Sequence, residues 1–336
     1  MKKNIYILFT FLMVFTSCIE IIEKPEYNKL SIDLQTRQQI YLEKDNVNDT
    51  EFLTRKTNNY SYITSVSNDT ISIHMENAGT LYSIYKSIIT GEENHDEYGE
   101  EVWDNVKTII LEGNIDARDF STIKWNFRNV ENIDISKTHI NYYYGDKGTN
   151  EGYNYEYMEN EIPLGAFFYW MCHFYRNFPE ELIDEGMASL KSIILPDNIT
   201  TINCNAIARA YNIKEITIPE TVKNIGFVSF RHCHSIEKLY IPKSVLFIDY
   251  YAFTDMNSLT EVHMESTTPP DGNDVFGYWR DATNYEVFGL TESDIEVGNM
   301  STINYLPYSK TTLYVPKGSK SAYNKWEQYF KEIIEE

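Results

Sequence analysis

The sequence predicts an α/β solenoid. Its coils have a 23-residue period and carry short parallel strands, with an irregular convex side, an N-terminal cap and a C-terminal helix. Two observations predict this. One apolar pattern recurs in register: Leu190, Ile193, Leu195, Pro196, Ile199, Ile202, Ala206, Ile207; then Ile213, Ile216, Ile218, Pro219, Val222, Ile225, Ser229, Phe230; then Ile236, Leu239, Ile241, Pro242, Val245, Ile248, Ala252, Phe253. It reopens at Leu259, Val262 and Met264. Self-similarity at a fixed period marks stacked repeats, in which no coil buries its apolar side alone and neighbours share one core. The punctuation recurs as well. Ile193 and Leu195 alternate as in a strand with one buried face. Pro196, Pro219 and Pro242 end each strand, because proline has no backbone donor for a ladder. Asn203, Gly226 and Asp249 share the position expected to make a tight left-handed turn.

Taken in order, the chain opens with Lys2 and Lys3, an apolar run from Ile5 to Phe15, and Thr16-Ser17-Cys18. This is the layout of a secretory signal over 1–17 with small residues before the cut. The run is well short of the roughly 20 residues of a membrane span. Residues 18–30 read as a tether and 31–100 as an N-terminal capping region. Within the cap, Thr70 to Met75 alternates as a strand, and Asn77-Ala78-Gly79-Thr80 reads as a turn into a helix from Leu81 to Ile89. The repeat domain spans 101–336. Val106, Ile109 and Leu111 and then Val130, Ile133 and Ile135 fit the strand pattern at a step of 24. Aromatic-rich insertions interrupt it near 141–160, 168–189 and 271–308. After Ser319, the spacing of Ala322, Trp326, Tyr329, Phe330 and Ile333 suits an amphipathic helix over the last coil.

The strand pattern L-x-x-I-x-[IL]-P, the pair Ala252-Phe253, the stretch Thr267-Thr268-Pro269-Pro270 and the ending Leu313-Tyr314-Val315-Pro316-Lys317-Gly318-Ser319 resemble the BspA-like leucine-rich repeats of bacterial surface proteins, especially of Bacteroides-type bacteria. Cys18 after small residues resembles the acylated cysteine of a bacterial lipobox. The resemblance implies an extracytoplasmic lipoprotein on the outer membrane, held there by its N-terminal lipid only. It implies adhesion or macromolecular binding to a protein or glycan on a host or neighbouring bacterial surface. A monomer without cofactor or metal is expected.

Charge narrows the partners. The formal net charge is −21, or −23 once Lys2 and Lys3 are removed. Nucleic acid is excluded, since phosphate contacts need Lys and Arg, and so is electrostatic docking on anionic lipid. The four cysteines share no repeat position and show no C-x-x-C spacing, so neither a disulfide framework nor a zinc site is indicated. No nucleophile elbow, zincin or Walker motif is present, and no catalysis is expected. His232-Cys233-His234 reads as a polar loop joining two coils.

Two surfaces are candidates for binding. Residues flanking each buried strand position face outward on the concave sheet. These are Glu215 and Thr217, Lys238 and Tyr240, and Glu261 and His263, continuing to Thr312 and Tyr314. The alternative is the tyrosine-rich loop with Tyr143, Tyr153, Tyr155 and Tyr157, whose rings with a polar handle suit a surface glycan-binding protein of a nutrient uptake system.

Overall fold

The computed structural model describes residues 61–66, 69–89, 106–150, 152–168, 186–272, 275–276 and 308–336, all within one unit, Glu43–Glu336. The signal, Cys18 and the tether lie outside the described residues, as does most of the two later insertions. In chain order the first elements are β1 (Tyr62–Val66), β2 (Thr70–Met75), α1 (Leu81–Ile89), β3 (Thr108–Ile115), α2 (Ala117–Asn126) and β4 (Asn132–Ile140). A hairpin of β5 (Tyr143–Gly145) and β6 (Tyr155–Tyr157) follows, then β7 (Glu161–Ile162), β8 (Ser192–Ile194), β9 (Thr201–Ile202) and β10 (Asn224–Ile225). The rest are β11 (Lys238–Ile241), β12 (Phe247–Ile248), β13 (Glu261–Met264), β14 (Tyr308–Val315), a 3₁₀ helix (Lys320–Trp326) and β15 (Phe330–Glu335).

Parallel strands carry the fold. One sheet runs β1-β2-β3-β4-β8 and a second β11-β13-β14-β15, every pairing parallel except β1 with β2. Their inward positions line up across the strands. Ile71, Ile109, Ile133 and Ile193 form one row, and Leu239, Val262, Leu313 and Ile333 another, all buried in one core. The parallel ladder already starts at Thr70, inside the stretch read as a cap, and β1 closes its end by running the other way. A second, narrower ladder joins β7, β9, β10 and β12, so that Ile162, Ile202, Ile225 and Ile248 stack, each fully buried. Phe230, Phe253 and Phe276 stack at 5.2 and 5.5 Å.

Five sequence expectations are corrected. Residues 213–218 keep the alternation, with Ile213, Ile216 and Ile218 buried, but form no ladder with either neighbour, which splits the predicted continuous sheet in two. The left-handed turns do not fall at Asn203, Gly226 and Asp249. They fall at Asn205, Val228 and Tyr251 and at Arg209, His232 and Asp255, two positions that each recur every 23 residues. Gly226 is required for another reason: a Cβ there would sit 2.6 Å from the Cys204 backbone nitrogen of the preceding coil. The third insertion does not begin at 271, because Asp271 bridges Phe247 and Val275 accepts from the Phe253 N–H, completing the fourth coil. The C-terminal helix is only the 3₁₀ segment. Phe330 to Glu335 instead forms β15, because the open edge of β14 offers backbone partners that a helix would leave unmet. Finally, Cys204 is disulfide-bonded, its partner lying outside the described residues.

The first helical turns are tied together by one side chain. Asp116 and Asp119 form a capping box at the start of α2. Asp119 also accepts from the Gly79 and Leu81 N–H groups, at 2.6 and 3.0 Å, and so holds the N-terminus of α1 as well.

Candidate functional site

The outward side chains of β11, β13 and β14 build the site. Parallel register sets Lys238 beside Glu261 beside Thr312, and Tyr240 beside His263 beside Tyr314. Neighbouring strands lie about 4.8 Å apart, within the range of centroid separations at which rings pair. Tyr240 and His263 accordingly stack at 4.6 Å with a 13° tilt, and His263 and Tyr314 at 4.5 Å with 5°. Carboxylates hold the middle ring. Nδ1 of His263 lies 2.8 Å from Glu336 Oε1 and Nε2 lies 3.1 Å from Glu261 Oε2. Lys238 Nζ reaches Glu261 at 3.0 Å. The bond from Lys238, then that from His263, holds the Glu261 carboxyl below the usual carboxylate range, while Glu261 raises the Lys238 ammonium above its own. Both groups are solvated, so the pair fixes geometry more than it stabilises the fold.

Of the predicted residues, Lys238, Tyr240, Glu261 and His263 are thus brought together. Glu215 and Thr217 are exposed on the same row positions but belong to the unladdered coil. Sequence reading placed Tyr314 only at the end of the row and missed Glu336; no repeat signal reaches the latter.

The tyrosine loop is a different structure. β5 and β6 pair Tyr143 with Tyr157 and Gly145 with Tyr155. Tyr157 is buried, stacked on Tyr143 at 5.9 Å, and its hydroxyl accepts from Asn150 N–H at 2.7 Å. Burial pushes that phenol up to about 12. Tyr143 itself lies under Arg118, 4.7 Å from its ring. Tyr157 therefore packs the hairpin rather than meeting a partner. Tyr153 is exposed, and so is Tyr144, which the sequence reading did not count among the binding residues. A small cleft is lined by Tyr155, Glu156, Met158, Glu161, Pro163 and Asn203, with Tyr157 also contributing to its wall.

Of His232-Cys233-His234, read as a polar loop, His232 and Cys233 are buried and His234 is half-buried. Burial, then Arg231, lowers His232 to about 2, and burial pushes the Cys233 thiol up to about 12, so neither base nor thiolate is available near neutrality. Among the described residues no three His, Cys, Asp or Glu side chains gather to hold a metal. Nor is any helix there long and apolar enough to cross a membrane.

Stacked parallel strands with an outward polar and aromatic row make a repeat solenoid. Its repeats are of one recognisable kind: residues 185–287 match the BspA type leucine rich repeat region, in six copies. No curated protein matches the sequence. Among solved structures, a leucine-rich repeat protein from Bacteroides ovatus shares 23% identity over 45% of this chain and 30% of its own length, with a TM-score of 0.29. The Treponema pallidum leucine-rich repeat protein shares 14% over 62% of this chain and 71% of its own, with a TM-score of 0.31. The pneumococcal vaccine antigen PcpA shares 12% over 69% and 62%, with a TM-score of 0.33. Likenesses at this level say nothing of function.

Proposed function

We propose that this chain is a non-catalytic, cell-surface binding protein, anchored by lipid at Cys18, that grips a protein partner on the open sheet face around Tyr240, His263 and Tyr314. The observation that carries the reading is the three-ring stack, held by carboxylates on an otherwise open sheet face. Surface rings that are already ordered lose little entropy on contact, which is why aromatic residues dominate binding hot spots. BspA-type repeats suit protein interaction or adhesion at a bacterial surface. A disulfide at Cys204 fits an oxidising compartment. The stack also favours protein over glycan here. Sugars pack on ring faces, and in this stack His263 and one face each of Tyr240 and Tyr314 are already covered by one another. Once a surface partner is identified, the double variant Tyr240→Ala, His263→Ala should weaken it by more than about 1 kcal/mol while the fold persists; unchanged affinity refutes the site. Cys18→Ala should release the protein from the membrane fraction, and unaltered fractionation without lipid on the mature N-terminus refutes the anchor.

A second reading has its own support. The loop carries the exposed Tyr144 and Tyr153, and the cleft has Glu156, Glu161 and Asn203, a combination of ring and polar groups that suits a sugar. Retention on a glycan array that is lost in Tyr153→Ala favours it, and an array without hits removes it.

A further inference from the structure

The ring stack ends at Tyr240. One face of that ring lies on His263; the other looks toward the coil of residues 213–218. There Thr217 holds the repeat position of Tyr240, 23 residues earlier. A threonine cannot cover a phenol, and Tyr240 keeps 52% of its surface exposed. One coil further, at the same position again, stands Ile194, 54% exposed. By repeat position, then, the small Thr217 stands between the exposed ring of Tyr240 and the exposed Ile194, which leaves a slot above it. Glu215 stands on the same coil in the neighbouring row, exposed and without an ion-pair partner among the described residues. Lys238, which holds the repeat position of Glu215 one coil later, is held by Glu261. Rings along β11, β13 and β14 repeat at 4.5 and 4.6 Å, and a planar group seated over Thr217 would add a further layer on the outer face of Tyr240, where no ladder fixes the interval.

A guest for this slot must be flat to stack and positive to match Glu215 within a chain of net charge −21. Guanidinium meets both demands: it is planar, always charged and weakly hydrated, and it stacks on aromatic faces, whereas an ammonium is a compact hydrated point charge. We propose that the outer face of Tyr240, with Glu215, receives an arginine side chain of the protein partner. This rests on the reading of the sheet face as the contact surface and names the chemistry of what it contacts.

The test uses the full chain and three capped pentapeptides, Gly-Gly-X-Gly-Gly with X as arginine, lysine or citrulline, titrated by saturation-transfer NMR. Arginine should bind about two- to five-fold more tightly than either other peptide, the range of an exposed cation–ring contact. Glu215→Gln should abolish the preference over neutral, planar citrulline. Tyr240→Ala should abolish the preference over lysine. Thr217→Tyr, which fills the slot from within, should abolish both while leaving the unfolding midpoint in place. Equal binding of the three peptides, or a preference over lysine that survives Tyr240→Ala, overturns the proposal. The broader reading fails separately. If a crosslinked partner loses affinity in Tyr240→Ala, His263→Ala while the arginine peptide neither binds nor competes, the sheet face stands and the arginine receptor falls. If the peptides behave as expected but the partner ignores that double substitution, the sheet-face reading falls instead.

Discussion

Leu239 and Tyr240 are neighbours on β11 that point to opposite sides, and truncating each in turn tests the register on which both fold and site depend. Leu239 is fully buried, paired in the ladder with Val262, and follows Ile216 by one coil. Leu239→Ala removes about three carbons, worth roughly 0.8 kcal/mol each in transfer alone, or about 2.4 kcal/mol. The neighbouring side chain on β13 is fixed by its own strand and cannot close the gap, so a cavity remains and the total should reach about 3–5 kcal/mol. Tyr240→Ala removes only an exposed ring stacked on His263, worth about 0.5–1.5 kcal/mol. Urea unfolding followed by far-UV circular dichroism reads both. The comparison is valid where the slope with denaturant is unchanged, since a changed slope reports loss of cooperativity. A cost below about 0.5 kcal/mol for Leu239→Ala, typical of a surface position, or a larger cost for Tyr240→Ala, would refute the register.

Three further outcomes are expected. Gly113 has φ +96°, and a Cβ there would sit 2.3 Å from the Met75 carbonyl oxygen, so Gly113→Ala should cost about 1–3 kcal/mol in thermal or urea unfolding; a neutral result would mean that β2 and β3 are not so closely apposed. Burial, then Asp116, pushes the Asp119 carboxyl from 3.8 up to about 7 against the pull of its three backbone donors. The folded chain then keeps a proton that the unfolded chain has lost, so this contribution is present below about pH 4 and is lost as pH rises to about 7; at about 1.4 kcal/mol per pH unit it amounts to about 4 kcal/mol. Asp119→Asn should flatten that part of the stability curve, and parallel wild-type and variant curves from pH 4 to 7 would count against it. Tyr323→Phe removes a 2.8 Å bond from its hydroxyl to the Ser266 carbonyl and should cost about 0.5–1.5 kcal/mol, with no change if that bond is absent in solution.

Much of the fold was legible because burial repeats. Each coil needs the same inward residues at the same places, so Leu239, Val262 and their equivalents could be aligned by counting, and the same count put Tyr240 next to His263. The reading failed where the chain departs from the count. The left-handed turns lie two positions beyond the expected Asn203, Gly226 and Asp249, at residues such as Val228 and Tyr251 that show no preference for that conformation; neighbouring coils impose it through backbone bonds such as that from Val228 N–H to the Tyr250 carbonyl. His232 looked polar and proved interior, because burial is set by what stacks on a position and not by residue type alone.

The sequence by itself determined the repeat, its inward face and the order of residues along the outward row, since all three follow from periodic alternation. Tertiary structure alone decided what that row became. It stacked Tyr240, His263 and Tyr314 because the spacing of parallel strands, about 4.8 Å, falls within the centroid separation of paired rings. It brought Glu336 to His263 across 73 residues because β15 took the free edge of β14. It turned Tyr157 inward, out of the tyrosine surface its spacing suggested, because the β5–β6 hairpin needs a core of its own. Contacts between residues far apart in the chain are fixed by which backbone edges pair, and local pattern carries no record of that choice.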